Sequence, residues 1–187
     1  MGNKDIPAWA AASRRSWTNR GTKRPDFAEQ PSEAQESVWD YPRPPALVPD
    51  ARRVRVLLHD HVVADTRSSL RLLETSHAPT FYLPRDDVDM LCLERLSRLG
   101  SRCEWKGAAT YFDVVGGDKR EGGAAWSYES PFDDFADLAG HIAFYASRLE
   151  CFVDGERARP QPGGFYGGWV TSELAGPFKG EPGTGGW

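Results

Sequence analysis

The sequence of 187 residues contains only three cysteines, Cys92, Cys103 and Cys151, and no two of them form a CxxC pair. An odd number of widely spaced cysteines argues against both a disulfide framework and a cysteine-rich zinc site. The pattern is typical of reduced cysteines in a cytoplasmic protein. We therefore expect a cytoplasmic protein with no metal site and no cofactor.

Long apolar runs and an excess of charge of one sign are also missing. No apolar stretch approaches the roughly 18 residues that span a bilayer, and the N-terminus lacks the apolar core of a secretory signal. The net charge is −4, so the whole chain exerts no electrostatic attraction on nucleic acid or anionic membrane. We expect neither as a partner, while the oligomeric state stays open.

A phosphate-binding loop is absent as well. The glycine pairs at 163–164 and 167–168 flank Phe165 and Tyr166, but they neither open a helix as GxGxxG nor precede a GK[ST] motif. The tripeptide His59-Asp60-His61 is compatible with a metal site, yet no third ligand of known proximity accompanies it. Turn residues in solvent are the preferred interpretation of that tripeptide.

Composition predicts a basic N-terminal extension, a β domain, and a C-terminal tail rich in glycine, proline and aromatic residues, which span residues 1–35, 36–160 and 161–187. The stretch from Arg14 to Arg24 has no acidic residue, which predicts a flexible extension, solvated or used as an arm for an acidic partner. Trp9 and Trp17 leave a third alternative, in which the extension docks on the domain. The tail is predicted to pack on the domain or to meet a partner.

Short runs of β-branched and aromatic residues, separated by turn signals, predict a small, mainly antiparallel β domain. The pair Asp154-Gly155 predicts a tight hairpin. One principal helix is predicted over residues 86–99, because apolar residues recur there with helical spacing and an aspartate precedes them as a cap.

The most distinctive chemistry lies within residues 103–112, where Glu104, Trp105 and Lys106 stand directly before Gly107. Alternation on a strand sends Glu104 and Lys106 to one face and Trp105 to the other. That arrangement describes either a ligand site or a surface ion pair over a core tryptophan. Either a bulge at Gly107 lets Trp105 and Lys106 share one wall, or Trp105 belongs to the core and Trp126 forms the wall.

Three interpretations of the candidate site remain. In the first, which we favour, the domain binds an anionic or phosphorylated small molecule in an aromatic-lined cleft, formed by Arg43, Glu74, His77, Trp105, Lys106, Tyr111, Trp126 and Tyr145. In the second, an enzyme uses Glu74 or Glu104 as general base and Lys106 to stabilise negative charge. In the third, Glu104–Lys106 and Glu74–Arg43 are structural ion pairs. A cavity of roughly 300 Å³ or more, on which Lys106 and Glu74 converge, would exclude the third.

Several segments together carry a family resemblance, namely residues 36–45, 73–77, 79–84, 103–107, 125–128, 143–145 and 154–156. Over about residues 36–160 the chain resembles the domain-of-unknown-function family 427 (DUF427), and its Gly-Gly-Trp-Val-Thr segment resembles the ending of some actinobacterial members. The resemblance implies a small, mainly β domain with a β-tent-like arrangement, without the paired CxxC zinc ligands of several β-tent proteins. The family is also labelled nucleotidyltransferase-like, but the sequence offers no Gly-Ser pair followed by carboxylates to hold magnesium.

Overall fold

Short strands dominate the structure, a computed structural model that describes residues 6–97 and 100–187. The α-helix in this part is α1 (Ala8–Ser16), and no helix described there is long and apolar enough to cross a membrane. The strands are β1 (Glu36–Ser37), β2 (Ala46–Asp50), β3 (Val54–Leu58), β4 (His61–Thr66), β5 (Ser69–Leu73), β6 (Thr80–Pro84), β7 (Leu93–Arg95), β8 (Arg102–Cys103), β9 (Gly107–Ala108), β10 (Thr110–Gly116), β11 (Lys119–Ser127), β12 (His141–Phe144), β13 (Glu150–Val153), β14 (Glu156–Arg157), β15 (Arg159–Pro160), β16 (Trp169–Val170) and β17 (Leu174–Ala175). The predicted mainly β fold with one principal helix is confirmed, although that helix is α1 in the N-terminal segment. The β-tent likeness stays a prediction.

Two antiparallel sheets enclose the main core. The larger sheet has the strand order β2-β5-β6-β12-β11-β10-β7, and the smaller has the order β14-β13-β3-β4. Phe81, Leu83 and Phe144 from the larger sheet belong to one buried cluster with Val54 and Val56 from the smaller. Because apolar burial contributes roughly 25 cal/mol per Å², these facing surfaces are the main source of the sandwich's stability.

The opposite face of the larger sheet is apolar too. Tyr82 on β6, Trp126 on β11 and Ala143 on β12 alternate with the core residues and form a second buried cluster. A sheet with two apolar faces must be covered on both sides. Trp105 in the β8–β9 connection and the 3₁₀ turn Asp133–Leu138 contribute residues to this second cluster. The candidate site lies in this layer.

The helix predicted over residues 86–99 is wrong within the described residues. The structure has the 3₁₀ turns Arg85–Asp87 and Met90–Cys92 followed by the strand β7, while residues 98–99 lie outside the described part. Leu91, assigned to the apolar helix face, is 93% exposed. The pairing of β7 with β10 at the sheet edge overrides the helical periodicity.

Both ends of the described chain pack on the domain and on each other. Strands β1 and β17 pair in parallel, and the rings of Phe27, Trp39 and Trp187 lie with centroids 5.0 to 5.2 Å apart. The Trp169 indole donates a hydrogen bond to the Phe144 carbonyl at 2.9 Å. These contacts attach the N-terminal and C-terminal segments to the domain, and Trp17 also packs against the buried cluster on the second face of the larger sheet.

Candidate functional site

A cavity of about 240 Å³ lies on the second face of the larger sheet. Its walls are mainly aromatic, formed by Trp17, Tyr82, Trp105, Tyr111, Trp126, Tyr128, Tyr145, Phe165 and Tyr166. The volume equals about eight water molecules at roughly 30 Å³ each, so it suits a small ligand. It falls short of the roughly 300 Å³ expected of a typical ligand pocket, although Lys106 and Glu74 both line it.

A hairpin brings Trp105 and Lys106 to the same cavity. Cys103 on β8 pairs with Gly107 on β9, so residues 104–106 form the connecting turn. The continuous strand expected over this stretch is therefore wrong, and no bulge is needed. Gly107 has a φ of 99°, which residues with a Cβ rarely adopt. Side chains in a turn escape strand alternation, and both Trp105 and Lys106 line the cavity.

The Lys106 ammonium is a buried charge without a carboxylate partner. The residue is 7% exposed, and its Nζ lies 5.8 Å from the centroid of the Tyr128 ring. Across the described residues it forms no ion pair, and the predicted Glu104–Lys106 pair does not form. Burial opposes its charge, but Cys103, Tyr82 and Glu74 favour it, so the pKa of Lys106 is raised above its ordinary value.

Arg43 lies behind the cavity and not on its wall. Its Nε is 3.3 Å from Glu74 Oε1, and its other nitrogens donate to the carbonyls of Asn19, Thr75 and Trp187. The guanidinium thus holds Glu74 and both terminal segments in place. The expectation that Arg43 contacts a ligand has no support in this geometry, whereas the Glu74–Arg43 ion pair is present.

Glu74 lines the cavity as an anion. Burial opposes its charge, but the positive charges of Lys106 and Arg43 help to outweigh that effect, and the pKa of Glu74 lies below its ordinary value. A general base works best when its pKa lies near the working pH. Glu74 is therefore a poor base at neutral pH, and its charge partly balances the cations around it.

Glu104 is held by the N-terminal segment. Its Oε1 accepts the Trp17 indole N–H at 2.8 Å, and its carbonyl accepts Arg14 Nε at 2.7 Å. The Trp17 ring lies under the Arg43 guanidinium at 4.3 Å and the Lys179 ammonium at 4.1 Å. In the structure, the N-terminal segment contacts the domain through Trp17.

The remaining predicted residues lie on the cavity wall. His77 Nδ1 is 2.9 Å from the Thr75 carbonyl, so Nδ1 carries the proton and Nε2 is left as an acceptor. Burial lowers the pKa of His77, although the Glu74 carboxylate opposes this effect. The lowered pKa keeps the His77 ring neutral. Trp126 and Tyr145 have ring centroids 4.4 Å apart, and the Tyr111 hydroxyl bonds to Ser101 at 2.8 Å.

Lys179 is a cavity residue that sequence reasoning missed. It is 2% exposed, and its Nζ donates to the Gly185 and Trp187 carbonyls at 2.8 and 2.9 Å. Burial, assisted by Arg43, lowers the pKa of Lys179 to about 8. No local pattern marks it, because long-range packing of the C-terminal segment places it there.

Fold and site together define a small antiparallel β domain with an aromatic cavity that contains buried charges. Residues 46–155 match a family described as Domain of unknown function (DUF427). The match covers more than half of the chain, so the chain belongs to the DUF427 family. No protein with curated annotation matches it significantly. The only carboxylates among the described cavity-lining residues are Glu74 and Glu104, both already engaged, which leaves the family's nucleotidyltransferase label without a metal-binding cluster here.

Proposed function

We propose that the protein binds a small anionic molecule with an apolar or aromatic portion in this cavity. The observation that carries the proposal is Lys106, an ammonium that is 7% exposed, lines the cavity and has no carboxylate partner within the described residues. A buried charge is costly unless it is paired and hydrogen-bonded. A carboxylate or phosphate on a ligand would give Lys106 a direct ion pair, which its hydrogen bond with Cys103 and the more distant charge of Glu74 do not supply.

The surrounding charges favour an anion over a cation. Glu74 is paired with Arg43, and Glu104 accepts the Trp17 indole. Lys179 donates to the backbone oxygens of Gly185 and Trp187 and adds a second positive charge to the cavity wall. The aromatic walls would pack against the apolar part of the ligand, while the lysines fix its orientation.

An enzymatic role is the second candidate, and His77 supports it better than either glutamate. His77 is neutral, its Nδ1 proton is held by Thr75, and its Nε2 is left as an acceptor at the cavity. A neutral imidazole is suited to general-base catalysis near neutral pH. Conversion of a bound probe, seen by NMR and lost in His77→Gln, would favour this candidate over binding alone.

We further propose that residues 36–160 form the domain proper and that residues 1–35 and 161–187 are additions that close the cavity. A cytoplasmic location belongs to the same proposal. All three cysteines are free, although Cys103 is only partly buried, and thiols stay reduced in that compartment. The proposal for the terminal segments is tested by small-angle X-ray scattering. Terminal segments that are detached from the domain would contradict the proposal that they close the cavity.

A thermal-shift screen followed by calorimetry tests the proposed function. The probes are phenyl phosphate, benzoate, inorganic phosphate and, as an apolar cation, tetramethylammonium. We expect phenyl phosphate or benzoate to raise the melting temperature, because a ligand that binds only the folded state stabilises it. Tetramethylammonium should have no effect, and its binding in place of the anions would contradict the proposal.

The matched variants are Lys106→Met and Lys119→Met. Lys106→Met removes the buried charge at nearly constant volume and should weaken anion binding by about 10- to 150-fold, equivalent to about 1.5 to 3 kcal/mol for a charge-assisted hydrogen bond. Lys119, whose side chain is 52% exposed near the start of β11, should give wild-type affinity. Equal affinity of the two variants would overturn the assignment of Lys106.

A further inference from the structure

Three side chains with metal-ligating atoms converge near the start of β4, and none of them lines the cavity. His61 Nε2 is 3.0 Å from Cys92 Sγ, and Cys92 Sγ is 3.2 Å from Asp89 Oδ2. The third side of the triangle, from His61 Nε2 to Asp89 Oδ2, measures 3.4 Å. Imidazole nitrogen, thiolate sulfur and carboxylate oxygen are ligands that Zn²⁺ accepts together. We propose that His61, Asp89 and Cys92 bind a divalent transition-metal ion of the Zn²⁺ type.

The spacing of the three atoms fits one shared ion. With metal–ligand bonds of about 2.0 to 2.3 Å, two ligand atoms on a tetrahedral ion lie roughly 3.3 to 3.6 Å apart. The His61–Asp89 separation of 3.4 Å lies in this range, whereas the separations of 3.0 and 3.2 Å that involve the Cys92 sulfur are shorter than the roughly 3.5 Å expected for sulfur by about 0.3 to 0.5 Å. Small side-chain rotations therefore admit the ion without a change of backbone.

The ligands are held in place by contacts of their own. Asp89 Oδ1 accepts the Leu91 backbone N–H at 3.1 Å, and the Asp89 backbone N–H donates to the Val63 carbonyl at 2.8 Å. That second bond ties the 3₁₀ turn to the strand that carries His61. A Cβ on Gly116 would lie 3.4 Å from two atoms of the His61 ring. The His61 ring therefore packs directly against the backbone of Gly116. Such outer contacts orient metal ligands before the ion arrives.

The site has an apolar floor and a solvent-facing opening. Cys92 is 5% exposed and belongs to the main core, whereas the side chains of His61 and Asp89 are 45% and 40% exposed. A fourth coordination position is thus left toward solvent for water or a ligand. Three protein ligands with one open position characterise catalytic zinc sites, while structural sites have four.

Hydrogen bonding alone gives a weaker account of the cluster. Without an ion, the Cys92 thiol donates to Asp89, but a thiol is a weak donor and a weak acceptor.

The expectation of no metal site rested on the lack of CxxC pairs and of a third ligand near His61. The 3₁₀ turn that replaces the predicted helix supplies two further ligands at once.

Cobalt titration of the full chain, dialysed first against a chelator, tests the proposal. We expect one Co²⁺ per chain, a thiolate-to-metal charge-transfer band, and displacement of Co²⁺ by Zn²⁺. Cys92→Ser should abolish the band, while Cys103→Ser should retain it. Absence of the band in the wild-type protein, or its persistence in Cys92→Ser, would overturn the proposal.

A pair of histidine variants provides a second readout that does not touch the core. His61→Asn should weaken metal binding by at least about 10-fold, the lower limit seen even for groups that only support a ligand. His59→Asn, two residues away at an exposed turn position with φ of 54°, should match wild type. Equal affinities in the two variants, or a loss in both, would contradict the assignment.

Discussion

The two lysines at the cavity are both buried, yet their surroundings affect their charges in opposite directions. Lys179 is 2% exposed and close enough to Arg43 for like-charge repulsion, and burial together with that repulsion lowers the pKa of Lys179 to about 8. Lys106 keeps a raised pKa because its neighbours favour the charged form. In the mildly alkaline range, therefore, Lys179 loses its proton while Lys106 remains an ammonium.

Anion affinity should fall as the pH rises through about 8, where Lys179 loses its positive charge. Benzoate is the suitable probe because it does not itself titrate in that range. Calorimetry from pH 6.5 to 9.5 should show the decline in wild type and a flat profile in Lys179→Met. A wild-type affinity that is constant or rises across this range would contradict the role of Lys179.

The same pKa shift makes a separate prediction about stability. The pKa of Lys179 is about 8 in the folded protein and 10.5 as its ordinary value, so the unfolded chain binds more protons between these pH values. The contribution of Lys179 to the free energy of unfolding therefore increases from pH 8 to pH 10.5. Urea unfolding of wild type and Lys179→Met should show this increase only in wild type. An identical pH slope in the two proteins would rule it out.

At the scale of elements, the larger sheet forms one wall of the cavity, and the two terminal segments form other parts of its wall. Trp17 from the N-terminal segment and Tyr166 from the C-terminal segment both line it. Gly167 lies so close to Trp126 that a Cβ would fall 2.0 Å from the indole. The glycines of the C-terminal segment thus permit backbone to lie directly on an aromatic wall.

Trp17→Ala should destabilise the protein, although the composition of its segment predicts a flexible extension. The variant removes the ring that Arg43 and Lys179 stack on and the donor to Glu104. We expect a loss of about 2 to 4 kcal/mol, hence a melting temperature at least about 4 °C lower. Trp9→Ala, which alters a tryptophan that is 41% exposed, is the control. Equal melting temperatures for the two variants would show that Trp17 does not anchor the segment.

Gly167→Ala should force the Trp126 ring away from its position. Overpacking of this kind costs about 1 to 3 kcal/mol, so the melting temperature should fall by roughly 2 °C or more. Gly186→Ala is the matched control, because nothing lies within 4 Å of a Cβ at that position. Near-ultraviolet circular dichroism should report a changed tryptophan environment in Gly167→Ala alone. An unchanged spectrum would place the segment elsewhere.

At the scale of the whole molecule, local patterns predicted strands and turns but not their assembly. Alternating burial on β3 and the Asp154-Gly155 turn, with φ of 46° and 88°, follow the sequence pattern. The helix expected at 86–99 failed because Leu91 points to solvent and β7 gains a partner strand. The spacing of apolar residues shows which residues tend to be buried, but it does not show which neighbouring element buries them.

The candidate site was predictable to the extent that its residues belong to the β domain. Glu74, Trp126 and Tyr145 were expected there and line the cavity. Trp17 and Lys179 were not assigned to the site, because the contacts that place them join segments far apart in the chain. Arg43 lies off the cavity wall, because its donors are used by Thr75 and by the terminal segments at Asn19 and Trp187.

The most direct test of the central claim is a crystal structure of the full chain soaked with phenyl phosphate. The account predicts the phosphate at about 2.7 to 2.9 Å from Lys106 Nζ, the distance of a charge-assisted hydrogen bond, with the phenyl ring against Trp126 and Tyr145. A probe bound elsewhere on the protein while the cavity stays closed by its own side chains would contradict it.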